Sequence, residues 1–273
     1  MPKLVELEPL EKTVIATLYS AYVKDEKPLS LLIVAKPESG KTAILKKYRE
    51  NKGIAYISDC TAYGLTRDIL PKIVSGEIKH ILIPDFITPL SKSTKTRMSF
   101  IAFLNNLIEE GIAKITTYAT IWDKEVKCGL ITAITEDALQ DGRHEWAKMG
   151  FLSRMFLFSY SYPISVVCRI FESLMDNKSA VDERARLKFP PQPKDVLLPK
   201  NIAEKLVPVS MKIGESMKIY GFRFFLNSKA LLKSLALMNG RTAVTQADYD
   251  AFLNLSTYFN AEFNPISSVR KEV

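Results

Sequence analysis

The 273-residue chain predicts an α/β fold: a central, mostly parallel sheet flanked by helices, followed by a smaller helical domain. Three observations predict it. Short apolar runs, Leu31-Leu32-Ile33-Val34, Ile81-Leu82-Ile83 and Leu130-Ile131-Thr132-Ala133-Ile134, alternate with helical stretches, as in strands buried on both faces. The first run leads into Gly40-Lys41-Thr42, a turn that opens a helix. A charged stretch holding Pro190-Pro191, Pro193 and Pro199 then separates this part from a C-terminal part with helical spacing. The expected division is an α/β core over 1–175, a connector over 176–200 and a helical lid domain over 201–273.

Taken in order, residues 8–24 place Leu10, Val14, Ile15, Leu18, Ala21 and Tyr22 at helical spacing ahead of a first strand at 30–35. Residues 43–50 are good helix formers without Gly or Pro. Residues 53–58 read as a second strand and 66–74 as a helix that Pro71 shifts or breaks. Residues 79–85 form an apolar strand ending in Asp85, and a helix is expected over about 97–110. Two β-prone segments, 111–118 and 125–128, flank Trp122-Asp123-Lys124 and predict a hairpin. It leads into a buried strand at 129–135, and a further strand is expected over 155–160.

The stretch Ala35-Lys36-Pro37-Glu38-Ser39-Gly40-Lys41-Thr42 follows the pattern G-x-x-x-x-G-K-[ST] except at its first position. In such a loop backbone N–H groups wrap the phosphates of a nucleotide such as ATP, and Lys41 neutralises β/γ charge. The Thr42 hydroxyl would contact Mg²⁺ directly, and Asp85, at the carboxyl edge of a central strand, would hold it through water. The competing reading is a Ser-Gly turn before a basic helix. Thr135, at the end of its strand, either contacts a γ-phosphate or attacking water, or caps the next helix.

Composition narrows the alternatives. The 47% hydrophobic and 25% charged content suits a globular protein. No apolar run approaches the roughly 20 residues needed to span a bilayer, and residues 1–6 lack a signal-peptide core, so a cytoplasmic, membrane-free protein is expected. Cys60, Cys128 and Cys168 are few and scattered, reading as packed thiols, and two histidines argue against a histidine metal site. The formal charge of +8 and a pI of about 9.2 favour a polyanionic partner such as DNA. Each local basic group, for example Lys46, Lys47 and Arg49, reads by itself as a solvated face, and only their sum points to such a partner.

Gly150-Phe151-Leu152-Ser153-Arg154-Met155 and Gly240-Arg241-Thr242-Ala243-Val244-Thr245-Gln246-Ala247-Asp248, taken with the loop and Asp85, resemble segments of the AAA+ ATPases. The likeness is to the group of MoxR-like chaperones, magnesium chelatase subunits and MCM helicases, and it covers residues 8–262. It implies an AAA+ core and lid, ATP with Mg²⁺, and a homo-oligomer in which Arg154 acts as an arginine finger on a neighbour's nucleotide. Gly221-Phe222-Arg223 resembles the start of a lid helix, making Arg223 the sensor 2 candidate that swings over the phosphates when the lid closes. Thr245 would cap the last helix with Asp248 in its first turn, and Arg241 reads as structural. In hydrolytic relatives a glutamate follows the strand-end aspartate; here it is Phe86, and Glu109 or Glu110 are the substitutes considered. The hairpin sits where this group carries one that touches nucleic acid, with Lys114, Lys124, Lys127 and Trp122 available for contact. The implied activity is ATP-driven remodelling of DNA or a DNA-bound assembly. The alternatives are a protein-remodelling chaperone and a slowly hydrolysing switch or scaffold.

Overall fold

The computed structural model describes residues 7–112, 125–175 and 184–259. Five strands, β1 (Leu31–Val34), β2 (Ile54–Tyr56), β3 (His80–Ile83), β4 (Gly129–Ile134) and β5 (Phe156–Ser159), form one parallel sheet in the order β2-β3-β4-β1-β5. β1, β3 and β4 are buried at every residue, which is why they read as continuous apolar runs.

Alternation along each strand divides the core between the two faces. Leu31 and Ile33 point to one face, with Leu82, Ile131, Phe156 and Phe158, and are covered by α1 (Glu8–Tyr19), α2 (Lys41–Lys47) and the C-terminal helices. Leu32 and Val34 point to the other, with Ile81, Ile83, Leu130 and Leu157. There they meet α4 (Leu70–Val74), α6 (Thr94–Asn105) and α7 (Glu136–Lys148). The C-terminal part is helical: α9 (Lys200–Ser216), α10 (Phe222–Met238) and α11 (Gln246–Ser256). Leu231, Leu235 and Phe252 belong to the same buried cluster as Leu10 and Leu31, so this core runs on across the proline-rich connector.

Local chemistry explains the departures from the expected boundaries. The helix at 62–74 begins as α3 (Ala62–Gly64), capped by the Thr61 hydroxyl, then widens to a π-turn over Leu65–Ile69 before α4. Pro71 lacks an N–H and crowds the carbonyl four residues back, so the ladder opens there rather than breaking. A second π-turn, Asn106–Glu110, ends α6 at Gly111 and carries Glu109 and Glu110. Of the predicted hairpin, Ile112 pairs antiparallel with Val126, while Lys114, Trp122 and Lys124 lie outside the described residues. The connector is strapped to the core: Asn51 donates to the Ala185 carbonyl and accepts from the Leu187 N–H, and Phe189 stacks on Tyr22 at 4.6 Å. α8 (Ile164–Met175) follows β5, and its Cys168 is exposed, unlike the buried Cys60 and Cys128, so the expectation of three packed thiols fails there. That amphipathic helix buries Val166 and leaves the thiol on its outer side.

Candidate functional site

The loop between β1 and α2 lies at the carboxyl edge of the sheet. Ala35 is buried and its N–H donates to the Ile134 carbonyl at 3.4 Å, prolonging the strand ladder. Its φ is not positive, so alanine serves at the first loop position without strain. The left-handed residues are Glu38 (φ 62°) and Gly40 (φ 90°), and Gly40 turns the chain into α2, where Ile44 N–H donates to its carbonyl. Lys36, Pro37, Glu38 and Thr42 are exposed, whereas Ser39 is buried.

Lys41 folds back into the loop and is 9% exposed. Its ammonium donates to the carbonyls of Ala35 at 2.7 Å and Lys36 at 2.6 Å and to the Ser39 hydroxyl at 3.0 Å. Burial pushes its pKa down to about 8, against the pull of the Glu136 and Asp85 carboxylates. A cation here, ringed by carbonyls beside a helix start, suits a bound polyanion that would replace those carbonyls. From the far side Tyr160 and Tyr162 both donate to the Ser39 carbonyl, at 2.8 and 2.7 Å. The carbonyl thus faces the tyrosines, and the trans peptide aims the Gly40 N–H the opposite way. Burial raises both phenols, Tyr162 to about 12, so they stay neutral donors.

Parallel register brings further groups to this edge. Val34 pairs with Ile134 and Ile83 with Thr132, so the residues after β3 and β4 emerge beside the loop. Asp85 is exposed and accepts from the Ile87 N–H at 3.1 Å and the Thr88 hydroxyl at 3.4 Å, opening α5 (Ile87–Leu90). Thr135 caps α7, its hydroxyl accepting from the Ala138 N–H at 3.4 Å. Glu136, the first residue of α7, has a buried Oε1 without a hydrogen-bond partner among the described residues. Phe86 is fully buried against Phe151 (5.6 Å, stacked), Phe100 (6.0 Å) and Trp146 (6.3 Å). It belongs to the core. Among the described residues no three His, Cys, Asp or Glu side chains could hold a metal ion by themselves. A Mg²⁺ at this edge would need phosphate oxygens and water beside any ligand from Thr42 or Asp85.

The remaining candidates gather at the opposite edge. Phe156 pairs with Leu31, so Arg154, two residues before β5, lies at the amino edge of the sheet. Four residues at about 3.3 Å each put it on the order of 13 Å from the loop edge. There Arg154 donates to the Gly150 carbonyl at 2.7 Å and to Glu110 at 3.0 Å; a Cβ on Gly150 would stand 2.5 Å from its Nη1. Arg223 joins the group, 3.4 Å from the Ser153 hydroxyl and 3.9 Å from both Glu109 and Glu110, while Lys27 pairs with Glu109. Burial lowers the Lys27 pKa, and Glu109 works against that. Glu109 and Glu110 end a helix at the amino edge, away from the loop of their own chain, and Arg223 lies beside Arg154.

Sequence reasoning missed Glu136, Tyr160 and Tyr162. The tyrosines had one signal, their place just past the β5 run beside the loop. Several basic side chains are neutralised locally: Lys47 pairs with Glu11, Lys92 with Asp59, Arg97 with Glu145 and Arg184 with Glu50. Arg241 is bidentate to Asp248 at 2.5 Å, and Asp248 completes a capping box with Thr245. Burial would raise the Asp248 pKa, but Arg241 and Thr245 lower it overall.

The strand order and the loop's place in it invite comparison with solved structures. A full-length MCM homolog from Methanopyrus kandleri superposes with a TM-score of 0.54 over 93% of this chain and 56% of that one. The two chains share a fold. Identity is 14%, so the likeness shows a five-stranded parallel α/β architecture, of the kind expected for an AAA+ core, and no more. The chain spans little more than half the length of that homolog. No family model and no curated protein matches the sequence. Among the described residues no helix is long and apolar enough to cross a membrane.

Proposed function

We propose that this chain is an ATP-binding AAA+ ATPase of the MoxR, magnesium chelatase and MCM group, an oligomer that remodels DNA or a DNA-bound protein assembly. The observation that carries the reading is the buried Lys41 ammonium, within the field of the Asp85 and Glu136 carboxylates, in a loop at the carboxyl edge of a parallel sheet. Phosphates would lie along the loop against Lys41 and the start of α2. Bound there, Mg²⁺ supplies charge neutralisation and orients the phosphate oxygens. Thr42 and Asp85 are the residues that would hold the ion.

The opposed edges support assembly. Arg154 and Arg223 stand at the amino edge, away from their own chain's loop, so their proposed action on a γ-phosphate is assigned to a neighbouring copy. In the single chain Glu110 and the Gly150 carbonyl hold Arg154, and docking on a triphosphate would exchange those partners for stronger ones. DNA as substrate rests on the net charge of +8 and on homology of position for the hairpin.

The test is steady-state ATP turnover with and without DNA. The reading expects DNA to stimulate turnover at low salt and to lose that effect as salt rises. Turnover indifferent to DNA but raised saturably by a protein would move the assignment to a protein-remodelling chaperone.

A further inference from the structure

The ATPase reading leaves the attacking water without a partner, since Phe86 fills the position after Asp85 and is sealed in an aromatic cluster. Glu109 and Glu110 sit at the wrong edge for their own chain's nucleotide. One carboxylate has the right placement. Glu136 follows β4 directly, β4 lies hydrogen-bonded beside β1, and the Ile134 carbonyl accepts from the Ala35 N–H at 3.4 Å, which sets residue 136 next to the loop. The Thr135 hydroxyl already caps α7, so the helix start does not depend on Glu136. Its Oε1 is buried yet accepts nothing among the described residues, an arrangement that costs free energy unless something else arrives to satisfy it.

We propose that Glu136 is the carboxylate that orients and deprotonates the attacking water, taking over from the strand β4–α7 junction the role that Phe86 cannot perform. This rests on the reading of the Lys41 loop as an ATP site. In the step, the water oxygen bonds to the γ-phosphorus as the bond from that phosphorus to the β,γ-bridging oxygen breaks. ADP leaves with that electron pair, and one water proton passes to Glu136 and then to solvent. Lys41 keeps the leaving charge compensated, and Thr135 fixes the helix end that carries Glu136.

The experiment compares wild type, Glu136→Gln and Glu136→Asp by ATP·Mg²⁺ affinity, turnover, and the identity of nucleotide retained after gel filtration. Glu136→Gln is expected to bind ATP within about threefold of wild type, to hydrolyse it at least about 100-fold more slowly, and to retain it as ATP rather than ADP. Glu136→Asp keeps the charge but withdraws it by one methylene, and should also bind normally and turn over slowly. Either variant hydrolysing at the wild-type rate overturns the assignment while leaving the ATP site standing, as does a wild type that binds ATP without hydrolysing it. A wild type that fails to bind ATP removes the underlying reading and the assignment with it.

Discussion

At the residue scale, substitutions in a motif acquire meaning from where the side chain goes. Ala35 replaces a glycine without penalty because its backbone is ordinary and its N–H continues the strand ladder. Phe86 is a different case: it is committed to packing with Phe100, Trp146 and Phe151. Phe86→Glu should therefore not restore a family-like site. It would bury an unpaired carboxylate and leave a gap, lowering stability by at least about 3 kcal/mol. Urea denaturation checks this; a stable variant with raised turnover would show that the position can serve chemistry. Lys41, Thr42 and Asp85 were legible because their chemistry is tied to local spacing. Glu136 was not, because its neighbourhood to Lys41 comes from β4 pairing with β1 across 100 residues of register.

At the element scale, the strands were legible as apolar runs because a doubly covered parallel strand has no polar face. The helices were legible in outline, but their interruptions were less so: Pro71 announced a disturbance without saying that it takes the form of a π-turn over Leu65–Ile69. The capping box at Thr245 and Asp248 could be read directly, being local in sequence. β3 opens with a histidine that is 1% exposed, and burial pushes the His80 pKa down to about 4 against the help of backbone groups at Leu29 and Thr17. The folded pKa lies below that of the unfolded chain, so the unfolded state takes a proton first as pH falls. His80 should thus withdraw stability between about pH 6.5 and 4, by up to about 1.4 kcal/mol per pH unit. The ring should remain neutral by NMR down to about pH 4, with unfolding midpoints falling across the same window; a ring titrating near 6.5 would refute its burial as a neutral group.

At the scale of the whole molecule, the sheet separates two groups of candidate residues. Lys41, Asp85 and Glu136 occupy the carboxyl edge, and Arg154 and Arg223 share the amino edge with Glu109, Glu110 and Lys27. Order along the chain does not say at which end of a strand a residue emerges. Nor did the proline-rich connector mark a break in the core, since α10 and α11 cover the same sheet face as α1. On the proposed reading, nucleotide binds at the carboxyl edge and the arginine edge serves another copy. Binding of a fluorescent ATP analogue with Mg²⁺ to dilute, monomeric protein tests it most directly. Wild type and Arg154→Ala should bind with affinities within about twofold, while Lys41→Ala should lose about 10- to 100-fold, the order expected for a charge-assisted contact. Equal binding by Lys41→Ala, or loss of monomer binding in Arg154→Ala, would contradict the account.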